Sequence, residues 1–321
     1  MAQRLAQAIA GALMITLAAG PTPVAGREAT STPDQSVHSQ VGTVNRLVSV
    51  APSNTEMVFA VGAQDKLIGV STYCDYPPEA RGREKVGSFV SVNPERLSRL
   101  KPDLILLVNG QESLASMLQH QGFRVVLLNN NRLSAVADNL EIIGGLTGCH
   151  KTAAQMASAF RISLLKLAAI LRTAQTKPKI FYCVWPEPLL TVGQSSFLNE
   201  VITVAGGINI AGGLKAAYPH FSLEQLIVAN PDLVILPYEA RRQSFLQRPP
   251  WTTLRAVKTG SIYLLPEPGS DNLARPTLRV IDGLYWLATR LHPELLPQLK
   301  LWLAESHRAL HQPASSPALT R

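Results

Sequence analysis

The stretch that decides the fold is KTAAQMASAFRISLLKLAAILRTAQT, from Lys151 to Thr176. Ala153, Ala157, Phe160, Leu164, Leu167, Leu171 and Ala174 recur in it at alternating steps of four and three. That spacing lays one apolar stripe along a helix, and no Gly or Pro interrupts it before Pro178. At 1.5 Å per residue these 26 residues would span ~39 Å, more than the radius of a lobe of ~100 residues. The sequence therefore predicts a bridging helix over 151–177.

Two similar segments flank it. Before the helix stands Asn93-Pro94-Glu95-Arg96-Leu97, then Lys101-Pro102-Asp103-Leu104-Ile105-Leu106-Leu107. After it stands Ser222-Leu223-Glu224-Gln225-Leu226, then Asn230-Pro231-Asp232-Leu233-Val234-Ile235-Leu236. In each, the Glu lies eight residues before the Asp, and an apolar strand follows. A capped helix, a Pro-Asp turn and a buried strand thus occur twice, which predicts two similar α/β lobes. The N-terminal lobe is expected over 46–150 and the C-terminal lobe over 178–311. Strands alternating with helices predict mainly parallel sheets, with a ligand cleft at the carboxyl ends of the strands.

The chain has 321 residues, 46% of them hydrophobic, enough for two ordinary cores. Its net charge of +8 comes from scattered Lys and Arg, with no basic run interleaved with aromatics, so no nucleic-acid partner is expected. Arg4, the apolar run Ala8 to Ala19 and the small residues around Gly20 predict a signal peptide over 1–26. A polar leader is expected over 27–45 and a disordered tail over 312–321. With no later membrane span read, the exported chain is expected to be soluble in the periplasm. Cys74, Cys149 and Cys183 allow at most one internal disulfide, and Cys183 sits in an apolar run as a core residue.

Several local readings follow. Ser53 or Asn54 is expected to cap a helix reaching Val61, with Glu56 favouring its positive end. Trp185 to Gly193 reads as a loop, and Pro276 to Leu291 as the last large helix. Tyr73, Phe89, Leu190, Tyr218 and Asp271 fall in loops at strand ends, where apolar and aromatic walls suit a bulky ligand.

Tyr73-Cys74-Asp75-Tyr76-Pro77-Pro78, the two Glu-containing segments and Pro188-Leu189-Leu190-Thr191-Val192-Gly193 together resemble the periplasmic cobalamin-binding proteins of ABC importers. So do Glu200 with Ala205-Gly206-Gly207-Ile208-Asn209, Tyr218-Pro219, and Arg279-Val280-Ile281-Asp282-Gly283. The resemblance runs from about Arg46 to His292. It implies a monomer that carries cobalamin as transported ligand rather than cofactor and delivers it to a permease dimer. It implies that Tyr73 and Phe89 line the N-lobe side of the pocket, and Leu190, Tyr218 and Asp271 the C-lobe side. Phe89 and Tyr218 stand where the best-known pattern has tryptophans, and Leu190 where it has a phenylalanine. Glu95 and Glu224 match the two acids that dock onto permease arginines, although each also suits a helix start.

The wider group to which such proteins belong also takes ferric siderophores and haem, and Tyr73 with Arg275 keeps that ligand class in play. An exported enzyme is the less favoured reading. No Gly-x-Ser-x-Gly or His-Glu-x-x-His occurs, and the seven histidines are scattered, which also argues against a metal site.

Overall fold

The computed structural model describes residues 43–237, 240, 244–247, 249–265 and 271–311. The expected signal peptide and the expected tail lie outside them. The leader ends earlier than expected: Val44 is buried, and its N–H donates to Leu146 O at 2.9 Å.

The first lobe is built from β1 (Leu47–Ser49), α1 (Pro52–Ala60), β2 (Leu67–Ser71), β3 (Glu84–Gly87), α2 (Pro94–Leu100), β4 (Leu104–Val108), α3 (Glu112–His120), β5 (Val125–Leu128) and α4 (Ala135–Thr147). Its strands run in the order β3-β2-β1-β4-β5, all parallel. Every residue of β4 is buried, as an apolar strand covered on both faces requires.

The bridging helix α5 (His150–Leu171) follows and ends at Leu171, short of the expected 177, with Arg172 as its C-cap residue. Its 22 residues span ~33 Å. Ala153, Ala157, Phe160 and Leu167 are buried, while Leu164, Leu171 and Ala174 pack against the same core from partly buried positions. That core joins Leu47 and Leu140 of the first lobe to Ile180 and Leu284 of the second, so the stripe serves both lobes. At the first of these contacts Gly144 of α4 meets Ala153; a Cβ on Gly144 would lie 2.2 Å from the Ala153 methyl.

One sequence reading needs correction here. The bridging helix is itself long and apolar enough to cross a membrane by length and composition. Its stripe lies in the protein core instead, and its outer face carries charges held by neighbours. Arg161 pairs with Glu141 and Asp138 at 2.8 Å each, and Lys166 with Glu305 at 2.6 Å.

The second lobe contains β6 (Lys179–Pro186), β7 (Leu189–Thr191), α6 (Phe197–Val204), β8 (Ile208–Asn209), α7 (Leu223–Ala229), β9 (Leu233–Leu236), α8 (Arg255–Lys258), β10 (Ile262–Leu264), α9 (Val280–Leu291) and α10 (Leu296–His311). Its strand order is β10-β9-β6-β7, with β8 beside the start of β6. All pairs are parallel except β6 with β7, a hairpin where a loop was expected. Helix α9 starts at Val280 rather than Pro276, and it is not the last. Helix α10 follows and packs on α5, with Trp302 Nε1 donating to Ser163 O at 2.7 Å.

Candidate functional site in the cleft between the lobes

The segments that leave the carboxyl ends of the strands meet across the two lobes. Tyr73 is half-buried in the turn after β2, and Phe89 half-buried in the turn after β3. The two turns are neighbours, with Thr72 N–H donating to Gly87 O at 2.8 Å. Gln111, buried after β4, donates from Nε2 to the Phe89 carbonyl and accepts from Val108 N–H at 2.9 Å, which fixes the Phe89 turn.

On the facing lobe, Leu190 is buried in β7 opposite Trp185. It forms a backbone bridge with His220, which brings in the neighbouring Tyr218. Tyr218 is half-buried. Burial pushes its phenol up in pKa, and a hydrogen bond with the Ser196 side chain works in the opposite direction. Asp271 begins a short 3-10 turn, and its side chain lies outside the described residues.

Arg275 joins the two walls. Its Nη1 lies 2.7 Å from Glu56 Oε1 and its Nη2 lies 3.6 Å from Asp75 Oδ1. Arg279 Nη1 is 3.5 Å from the same Glu56 oxygen, and its guanidinium stacks 4.0 Å from the Tyr76 ring centroid. Glu56 belongs to the first lobe and both arginines to the second, so this ionic cluster ties the lobes at the cleft. The side chains of Glu56 and Arg275 are only 4% and 13% exposed, which removes most solvent screening. Burial raises the Glu56 pKa, opposed by the charges of Arg275 and Arg279. A second tie between lobes runs from Leu133 N–H to the Glu200 carboxylate.

The Glu56 cluster was not visible to sequence reading. The chain enters α1 through Ala51 as N-cap with Pro52 at the first helical position, so Ser53 and Asn54 are helical and cap nothing. Glu56 is not a solvent charge at the helix start; α1 is buried continuously from Pro52 to Val58, and Glu56 in it meets the arginines of the second lobe. The spacing of Arg275 and Arg279, four apart, was the available signal for a shared acid. The run Asn129-Asn130-Asn131 at the end of β5, also unread, forms a cleft-side turn beside Asn109.

Glu95 and Glu224 stand apart from the cleft walls, both exposed in the first turns of α2 and α7. Asn93 accepts from Arg96 N–H at 2.9 Å, and Ser222 with Gln225 completes the expected capping box. The Glu224 carboxyl is held below the usual carboxylate range, first by its own backbone N–H and then by the Ser222 side chain. All three cysteines are free, and burial pushes up the thiols of Cys74 and Cys183.

Comparison with known proteins agrees with this arrangement. The vitamin B12-binding protein of Vibrio cholerae is 32% identical over 250 residues, covering 77% of this chain and 88% of that protein. An uncharacterised ABC transporter substrate-binding lipoprotein of Bacillus subtilis is 30% identical over 257 residues, 78% of this chain and 80% of the relative. The crystal structure of the Vibrio cholerae periplasmic vitamin B12 binding protein superposes with a TM-score of 0.65 at 28% identity, over 83% of this chain and 98% of that one. A periplasmic heme binding protein of Pseudomonas aeruginosa superposes at 0.68 and 26% identity, over 78% and 93%. Residues 47–268 match the family described as periplasmic binding protein. Two α/β lobes on one bridging helix fit that match, and the chain belongs to the periplasmic binding protein family.

Proposed function

We propose that this protein captures a corrinoid of the vitamin B12 type between its lobes and delivers it to the permease of an ABC importer. The observation that carries the reading is the identity spread over 88% of the Vibrio cholerae vitamin B12-binding protein, which spans both lobes and the bridging helix. The half-buried Tyr73, Phe89 and Tyr218 and the buried Leu190 support it, because a wide, partly apolar ring is best held between apolar faces. On this reading the protein is a monomeric periplasmic carrier without catalysis, and the corrinoid is cargo rather than cofactor.

In this proposal Arg275 acts chiefly on the walls. Its ion pairs with Glu56 and Asp75 set the spacing of the lobes, and the ligand meets a cleft already near its bound width. A continuous helix between the lobes is a stiff connection, which favours small closure over a wide hinge motion. Glu95 and Glu224, at matching positions of the two lobes, are the proposed contacts to basic residues of a two-subunit permease.

A haem ligand is the second reading, favoured by the Pseudomonas aeruginosa neighbour and by the arginines that meet Asp75 and Tyr76 in the turn that also carries Tyr73. Absorption spectra of the purified protein with cyanocobalamin and with haem separate the two. Retention of the cobalamin spectrum through gel filtration, with haem lost, is the expected result; retention of haem with loss of cobalamin overturns the proposal.

A further inference from the structure

A cavity of about 530 Å³ lies between the turn after β5 and the start of α6, at the end of the cleft away from Tyr73 and Phe89. The cavity is set off from the Phe89 turn by Asn109-Gly110-Gln111 after β4, which bonds Asn130 and Asn131 on one side and the Phe89 carbonyl on the other. Its lining differs in kind from the aromatic end. Asn129, Asn131, Gln194 and Asn199 supply amides, Ser195 and Thr203 hydroxyls, and Arg132 and Glu200 one charge of each sign.

Both walls are held by their own bonds. Asn130 N–H donates to Asn109 Oδ1 at 2.7 Å, Asn130 Nδ2 to Ser53 Oγ at 2.7 Å, and Asn139 Nδ2 to Asn129 O at 2.8 Å. Asn131 N–H donates to Asn129 Oδ1 at 2.9 Å, and Asn131 Oδ1 accepts from Asn109 Nδ2. Opposite, Gln194 N–H donates to Leu214 O at 2.7 Å, and Asn199 Oδ1 accepts from Asn209 Nδ2 at 2.8 Å. Asn129, Asn131 and Gln194 are exposed, and among the described residues these bonds leave the Nδ2 groups of the two asparagines and the whole Gln194 amide open to solvent or to a ligand. The cavity also adjoins the aromatic wall, since Ser196 in its lining bonds the Tyr218 side chain.

We infer that this cavity is a subsite for uncharged carboxamide groups on the ligand, and that it selects an amidated macrocycle over a carboxylated one. A carboxamide offers a carbonyl to the Asn129 and Asn131 donors and an NH₂ to Gln194 Oε1 or Glu200. A carboxylate lacks the donor for Gln194 Oε1 and Glu200, and its attraction to Arg132 is offset by the Glu200 charge in the same lining. The rim of a corrin ring carries primary amides where haem carries carboxylates, so the subsite separates the two ligand classes. The inference rests on the corrinoid reading for the identity of the cargo, but the chemistry of the cavity is testable without it.

The test has two arms on the full chain. In the first, ¹⁵N-labelled protein is titrated with acetamide and with acetate while side-chain amide resonances are followed. Acetamide shifts Gln194 and Asn131, acetate does not, and Gln194→Leu abolishes the response. Equal response to both probes, or to neither, overturns the subsite. In the second arm, affinity for cyanocobalamin is compared with that for the derivative carrying one rim amide hydrolysed to the acid. The wild type prefers the amide by about tenfold, the scale of one lost hydrogen bond. Gln194→Leu narrows this ratio towards one, and Glu200→Gln raises the acid's relative affinity. An unchanged ratio in both variants overturns the selectivity. Failure of the wild type to bind cyanocobalamin, with the acetamide response intact, counts against the corrinoid reading and leaves the carboxamide site standing.

Discussion

The segments around α2 and α7 have the same skeleton in the two lobes and different fastenings. In each, the cap residue two before the Glu accepts from the third helical N–H: Asn93 from Arg96 at 2.9 Å, Ser222 from Gln225 at 3.1 Å. In each, the helix ends on a left-handed residue, Lys101 at φ 45 and Asn230 at φ 43. In each, the following Asp accepts backbone N–H groups from the chain that enters the lobe's sheet: Asp103 from Asn45 and Arg46, Asp232 from Lys179. The fastenings then diverge. Arg46 reaches the end of α2 from just before β1, donating to Leu100 O at 2.6 Å. In the second lobe Arg255, from a later helix, pairs with Asp232 at 3.0 Å. The difference shows that the repeated unit is the cap, the left-handed turn and the aspartate, while the arginine that braces it comes from wherever each lobe can supply one.

The largest expected effect lies where the two lobes stop being copies and join. Glu56→Ala removes the buried acid shared by the half-buried Arg275 and Arg279 and leaves a void beside them, and the expected loss is about 3–5 kcal/mol, read by denaturant unfolding. A loss below about 1 kcal/mol would show that the cluster does not couple the lobes. The same carboxyl sets a pH dependence. Its folded pKa is raised, so its contribution to stability is fully present below the ordinary value of 4.5 and is lost as pH rises through the raised folded value. Glu56→Gln is expected to remove that decline, and a decline of unchanged size would assign it to another group.

Next in size are the aspartates. Asp103→Ala and Asp232→Ala each strip acceptors from backbone N–H groups, for an expected loss of about 1–3 kcal/mol apiece. Asp103 holds two such groups and Asp232 one, so the first-lobe variant is expected to lose more. The reverse order in thermal melts would mean that the Arg255 brace matters more than the backbone bonds.

Much of this was legible in the sequence because it is local. The stripe of α5, the two caps, the Pro-Asp turns and the exposed positions of Glu95 and Glu224 follow from period and spacing. What escaped was non-local. Glu56 reads as an ordinary helix-start acid until Arg275, 219 positions on, lands against it. Helix α10 escaped because Pro293 follows α9 directly and reads as a stop, yet it sits in the first turn of a short 3-10 segment that leads into α10. The β6–β7 hairpin was hidden by Pro186 and Pro188, which flank its turn and read as loop residues.

Smaller effects sharpen the comparison of the repeats. Lys in the left-handed region carries a strain of roughly 1 kcal/mol that Asn tolerates better. Lys101→Gly is expected to gain about 0.4–1 kcal/mol, while Asn230→Gly is expected to lose stability, because Asn230 Oδ1 accepts from Arg255 N–H at 2.8 Å. Equal gains in melting experiments would remove the distinction. Smallest in stability are the two acids: Glu95→Ala with Glu224→Ala is expected to lower the melting temperature only slightly, since both are exposed helix-start charges. Uptake by cells carrying the double variant is expected to collapse while ligand affinity holds. Normal uptake would leave both acids as helix-start charges only.

The most direct test of corrinoid capture is a calorimetric titration of the protein with cyanocobalamin. Corrinoid capture predicts one site per chain with submicromolar affinity, roughly −8 kcal/mol or stronger. No heat with any cobalamin form, alongside tight one-to-one binding of haem or a ferric siderophore, would contradict it.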